Sequence, residues 1–231
     1  MNAADKLILI AENMPKVYEA GKKAGGGAGT YESLRYANAV QFRSLNVFGE
    51  PEVTIDLGEH ITSLATFINL TSSSDMNNVN NTVEHLTVNC SGLPTTMLNF
   101  MACSNSRRDE KLTNLTLNVN TREVTAFSAA FAFLFVLEVI GGTPLDFTKT
   151  TSAVNPFNYC NELKEVRLQP GTLSISMSFA HCSKLSANSI QSIIDGLATV
   201  ETAQTITFHK NIALTEDQKE TIKGKGWTLV Q

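Results

Sequence analysis

The chain has 231 residues, of which 42% are hydrophobic and only 17% charged, with a formal charge of -4. That length allows one large domain or two small ones and burial of roughly three quarters of the unfolded surface. The mild negative charge offers no general attraction for phosphate backbones or anionic lipid, which argues against nucleic acid as a partner; the apolar stretch from Val124 to Leu137 is too short to insert across a membrane.

The opening "MNAADKLILIAENMPK" places Asp5, Glu12 and Asn13 around a short apolar run and lacks the basic-then-apolar order of a secretion signal. Asn2 is positioned to cap a helix, and Leu7, Ile10, Met14 and Val17 follow alternating steps of three and four, the spacing of a heptad seam. The spacing predicts a separate N-terminal helix within residues 1–24, used for anchoring or oligomerisation, with Pro15 allowing two helices to meet near Asn13. Residues 25–30, in "GKKAGGGAGT", read as a linker, because each ordered glycine costs extra backbone entropy.

From residue 31 to residue 185 a repeat takes over. The element F-x-x-[C or L] occurs as Phe67 with Leu70, Phe100 with Cys103, Phe131 with Leu134, Phe157 with Cys160 and Phe179 with Cys182, at intervals of 33, 31, 26 and 22 residues. An aliphatic triplet follows: Val83, Leu86 and Val88; Leu112, Leu115 and Leu117; Leu137 and Ile140 with Gly142; Leu163, Val166 and Leu168. Polar inserts, "TSSSDMNNVN" and "SNSRRDE", lengthen the first two periods. The end of each triplet alternates and is rich in strand formers, so each copy contributes a short strand with one face to a core. One such unit cannot bury its apolar side alone, whereas stacked copies with right-handed returns form a solenoid with a parallel sheet along one face.

The last segment, 186–231, reads as an α/β cap. Ser186 precedes a one-sided apolar stripe of Ile190, Ile193, Ile194 and Leu197; "TITFH" is a strand; Thr215 and Gln218 form a capping box; "WTLVQ" closes the chain.

The cysteines Cys103, Cys160 and Cys182 occupy the repeat's core position and read as small buried hydrophobes, while Cys90, at a strand end, leaves an open position as one alternative and carries no mark of a nucleophile. His60, His85, His181 and His209 are dispersed, with no zinc-type spacing, so no metal, cofactor or catalytic residue is assigned. An enzyme acting on glycans through paired carboxylates stands as an alternative, with Asp56 and Glu59 or Glu138 and Glu165 as the pairs.

Set side by side, "FNYCNELKEVRL" and "FAHCSKLSANSIQSIIDGL" resemble the repeat of bacterial leucine-rich repeat proteins of the BspA-like type, over roughly residues 53 to 231. The opening "AADKLILIAENMPKVYEAGKKA" is similar to the start of leucine-rich repeat proteins among the tail genes of phages and prophages of Gram-positive bacteria. The resemblance implies an α/β leucine-rich repeat solenoid located on a virion, or alternatively on a bacterial cell surface as an adhesin. It implies a host surface protein or glycan, or another virion protein, as partner, and a homo-oligomer, a trimer being favoured, held by the amino-terminal helix. Alternation puts Asp56, His85, Thr87, Asn114, Thr116, Glu165, Arg167 and Thr207 on the solvent face of the sheet, the expected binding surface.

Overall fold

The computed structural model describes residues 8–10, 39–41, 50–68, 82–101 and 111–231. Two short strands, β1 (Ile8–Ile10) and β2 (Ala39–Gln41), pair in parallel. This corrects the amino-terminal expectation for Ile10, which lies in a strand and not on a helix. The run Leu7 to Ile10 is continuously apolar with two β-branched residues, and such a run fits a buried strand as well as a helical seam. Leu7, Met14, Val17 and the Gly-rich stretch lie outside the described residues.

Five strands follow, β3 (Glu52–Leu57), β4 (His85–Cys90), β5 (Asn114–Val119), β6 (Val139–Leu145) and β7 (Glu165–Leu168), and form one parallel sheet in chain order. β4, β5 and β7 alternate an inward apolar residue with an outward polar one, as does β3 from Thr54 on, whereas β6 carries Val139 and Gly141 outward. The inward rows are in register, with Leu86, Leu115, Ile140 and Val166 in one and Ile55, Val88 and Leu117 in another, all buried. This is the predicted architecture at its coarser level: a parallel β-solenoid of about five turns with few helices. A bulge in β6 between Ile140 and Leu145 admits the extra residues of "GGTP". Gly142 there has φ +88°, and a Cβ on it would meet the Leu117 carbonyl oxygen at 2.3 Å, so no other residue fits without moving the neighbouring strand.

A second wall runs beside this sheet. Main-chain N–H groups of Leu64, Met97 and Phe127 donate to the carbonyls of Thr96, Ala126 and Ser152 in the following coil at 3.0, 2.9 and 2.7 Å. Just before four interior phenylalanines, Phe67, Phe100, Phe131 and Phe157, the chain bends through a left-handed residue, Thr66, Asn99, Ala129 and Asn155, with φ between 50° and 52°. A left-handed residue with a Cβ costs about 1–2 kcal/mol, offset here by coil-to-coil bonds such as Thr66 N–H to Leu98 and Asn99 N–H to Ser128. The bend aims the next ring inward. Phe67, Phe100, Phe131, Phe157, Phe179 and Phe208 make one continuous column, with successive centroids 5.1, 5.9, 5.4, 4.8 and 6.2 Å apart. Their contacts within the dense core add to the transfer energy of burial.

The column carries the second wall into a separate three-stranded parallel sheet, ordered β10 (Trp227–Val230), β9 (Gln204–Phe208), β8 (Met177–Phe179). Helix α1 (Ala187–Gly196) leaves the first sheet at β7 and covers its edge. Ser189 Oγ accepts from Val166 N–H at 2.9 Å and Ser192 Oγ from Leu168 N–H at 3.1 Å, so the strand edge that would be unpaired is satisfied by two hydroxyls. Ser186 caps α1 as the sequence predicts, and Ile190, Ile193 and Ile194 are buried beneath it. Helix α2 (Glu216–Gly224) has the predicted capping box of Thr215 and Gln218. Beyond it, Lys225 Nζ donates to the carbonyls of Ile194 and Leu197 at 2.9 and 2.8 Å, closing the end of α1 from a different part of the chain.

Candidate binding surface

The outward face of the five-stranded sheet carries three rows. Register places Glu52, His85, Asn114, Val139 and Glu165 in the first, Thr54, Thr87, Thr116 and Gly141 in the second, and Asp56, Asn89 and Asn118 in the third. Seven of the eight expected binding residues, Asp56, His85, Thr87, Asn114, Thr116, Glu165 and Arg167, therefore share one face; Arg167 Nη2 donates to the Gly142 carbonyl at 2.7 Å across the β6 bulge. The third row is internally bonded. Asn118 Nδ2 donates to Asn89 Oδ1 at 2.7 Å, and Asn89 Nδ2 donates to Asp56 Oδ1 at 2.6 Å. Such a chain of amides fixes each side chain and ends on a carboxylate, leaving little rotamer freedom to lose on contact. Glu52, Thr54, Asn89 and Asn118 belong to this face but were not singled out from sequence; the same period of two finds them.

Thr207 is elsewhere. It lies on β9, in the three-stranded sheet, because the chain changes walls after β7 when α1 occupies the next position beside that strand. There it lines an open groove of about 400 Å³ with Thr151, Asn155, Ser176, Ser178 and Thr205.

A third feature is aromatic. Phe133, Tyr159 and His181 occupy the third position of three successive F-x-x-[C or L] units, and their rings stack at 5.1 and 4.1 Å, with Phe135 6.1 Å from Tyr159. Phe133 and Tyr159 adopt φ of 65° and 57°, uncommon for residues with a bulky side chain. Tyr159 is partly open to solvent, at 38% exposure. The repeat alignment contained this strip as a column of rings two positions after the interior phenylalanine.

The acids proposed for catalysis have structural partners. Glu138 is paired with Lys164 at 2.7 Å, Glu165 accepts from Ser189 Oγ at 3.2 Å, and Asp56 ends the amide row. Cys160 and Cys182 are buried, and their thiols donate to the carbonyls of Phe131 and Phe157 in the preceding coils at 3.1 and 3.6 Å. Burial pushes the Cys182 thiol up to about 12 and the Cys160 thiol well above its ordinary value, with Cys182 adding to the latter. Both are held as neutral thiols and are poor nucleophiles. Cys90 is buried as well, at 8% exposure, because it continues the inward alternation of Leu86 and Val88; this corrects the alternative of an open position. Cys103 lies outside the described residues. Among the described residues no group of three or more His, Cys, Asp or Glu is arranged to hold a metal ion, and no helix is long and apolar enough to cross a membrane.

Comparison with known proteins finds no matching family model, no matching curated protein and no matching solved structure.

Proposed function

We propose that this chain is a non-enzymatic recognition protein, a leucine-rich repeat solenoid of the BspA-like type that serves as a tail-associated or virion subunit and meets a host surface or another virion protein through the outward face of its five-stranded sheet. The observation that carries the reading is the in-register polar array on that face, above all the unbroken Thr54–Thr87–Thr116 row beside the bonded Asp56–Asn89–Asn118 row. A parallel sheet backed by a close-packed core holds those groups at the strand spacing of about 4.8 Å. Short polar groups without aromatic anchors bind weakly one at a time, so the reading includes self-association that presents several copies together. The sequence likeness of the repeat and of the opening segment supports the repeat type and the phage setting.

The test uses purified Gram-positive cell envelopes and intact phage tails as probes in a pull-down of the full chain. The double variant Thr87→Arg, Thr116→Arg is expected to abolish capture while leaving circular dichroism unchanged and lowering the melting temperature only slightly, since both side chains lie on the outward face and two like charges then stand opposite each other. Capture by the variant equal to that of the parent, or capture of neither probe by the parent, would overturn the assignment of this face.

A further inference from the structure

The second wall is interrupted at one junction. Coil by coil, Phe127, Ala129, Phe131 and Phe133 donate their N–H groups to Ser152, Val154, Pro156 and Asn158. Alternation then turns the N–H groups of Ala153 and Asn155 toward the next coil, yet no described group accepts from either. Ala153 is only 8% exposed, and a main-chain donor at so buried a residue is ordinarily paired. The next coil does not close on them: Leu173 bonds forward to Gly196, and Ser176 N–H turns to Gln204 Oε1 at 2.9 Å. The phenylalanine column stays shut below, with Phe157 and Phe179 at 4.8 Å. The opening is therefore a wedge with a floor, the groove of about 400 Å³ that also holds Thr207.

Its lining has a definite chemistry. None of the lining residues is ionisable. Hydroxyls of Thr151, Ser152, Ser176, Ser178, Thr205 and Thr207 stand beside the apolar flanks of Val154 and Ile175, with Met177 turned into the core beneath. Those of Thr205 and Thr207 hydrogen-bond to no described residue, whereas Ser152 is engaged with Ser128 at 2.8 Å and Ser176 with Gln204 at 3.0 Å. A ligand that matches must be uncharged, must both donate and accept around its rim, and must lay C–H groups against aliphatic carbon. A charged ligand would lose hydration without gaining a counter-charge.

We infer that this groove is a binding site for a neutral saccharide of one or two pyranose units, whose hydroxyls accept from Ala153 and Asn155 N–H and exchange hydrogen bonds with Thr205 and Thr207. The volume falls in the range of small-ligand sites. The inference deepens the recognition reading by naming a ligand class, and it rests on that reading, but it uses a wall separate from the threonine rows.

The experiment is amide-detected NMR on the full chain, titrated with N,N′-diacetylchitobiose and cellobiose as neutral probes and with glucuronic acid and inorganic phosphate as charged ones. The expected result is saturable shifts of the Ala153, Asn155, Ser176 and Thr207 amides at millimolar concentrations of at least one neutral probe, with none from the charged probes. Thr207→Trp and, separately, Thr205→Trp fill the groove from solvent-facing positions and are expected to weaken that binding by about tenfold or more. Absence of shifts at these amides with both neutral sugars overturns the proposal, as do equal shifts with the charged probes. Sugar-induced shifts removed by Thr87→Arg but not by Thr207→Trp would sink the groove while sparing recognition by the sheet; loss of envelope capture in Thr87→Arg, Thr116→Arg with intact sugar shifts would separate the two sites.

Discussion

At the scale of single residues, the stability of this protein is concentrated in positions that recur. Replacing Phe157 by Ala empties a site flanked by two stacked rings, at 5.4 and 4.8 Å, and is expected to cost about 3–5 kcal/mol in urea denaturation, partly from the cavity left between coils that cannot collapse. The buried thiols give an alkaline signature. Folding raises the Cys182 thiol to about 12, so between the unfolded value near 9 and that value the unfolded chain has lost a proton that the native chain still holds. Stability is therefore complete below pH 9 and falls as pH rises above it, at a limiting slope of about 1.4 kcal/mol per pH unit for that thiol. Chemical denaturation followed between pH 8 and 11 checks this, and Cys182→Ala is expected to flatten the slope. The aromatic and thiol register was legible because spacing and residue type repeat together. The interior place of Cys90 follows from the same alternation as Leu86 and Val88, but its position at a strand end, just before Ser91, concealed it.

At the scale of elements, the helices act as terminators. Ser189 is fully buried; its hydroxyl accepts from an edge N–H and also donates to Glu165. Ser189→Ala leaves the Val166 donor unpaired in a dry site and is expected to cost about 1–3 kcal/mol, measured as a lower denaturation midpoint with an unchanged slope. Thr215→Ala, on the more exposed α2, removes one cap bond and is expected to cost about 1 kcal/mol in the same measurement. Helix starts were readable because a cap needs only residues close in the chain. The role of α1 was not, since the donors it satisfies belong to a strand more than twenty residues away. For the same reason the strand at Ile8–Ile10 could not be told from a helix: its partner at Ala39–Gln41 is distant, and four apolar residues in a row carry no period.

At the scale of the whole molecule, each coil meets only its neighbours, and the two walls end at different coils. The parallel sheet and the stacked phenylalanines were foreseeable from the repeat, whereas the change of wall after β7 and the groove it opens depend on which main-chain groups find partners, and residue types alone do not encode that. Nearest-neighbour construction predicts modularity. Duplicating residues 114–138, one full coil from β5 to the residue before β6, is expected to give a soluble protein with more strand signal in circular dichroism and a cooperative melt no lower than the parent's; a broadened or lost transition would show that the coils are not independent units. The column of rings bears on this in another way. Because centroid separations stay between 4.8 and 6.2 Å while the sequence interval varies between 22 and 33 residues, pitch follows the strand spacing of about 4.8 Å and not segment length. Successive coils of this chain can thus carry longer or shorter surface excursions, varying what is displayed at the periphery while the spine beneath keeps its gauge.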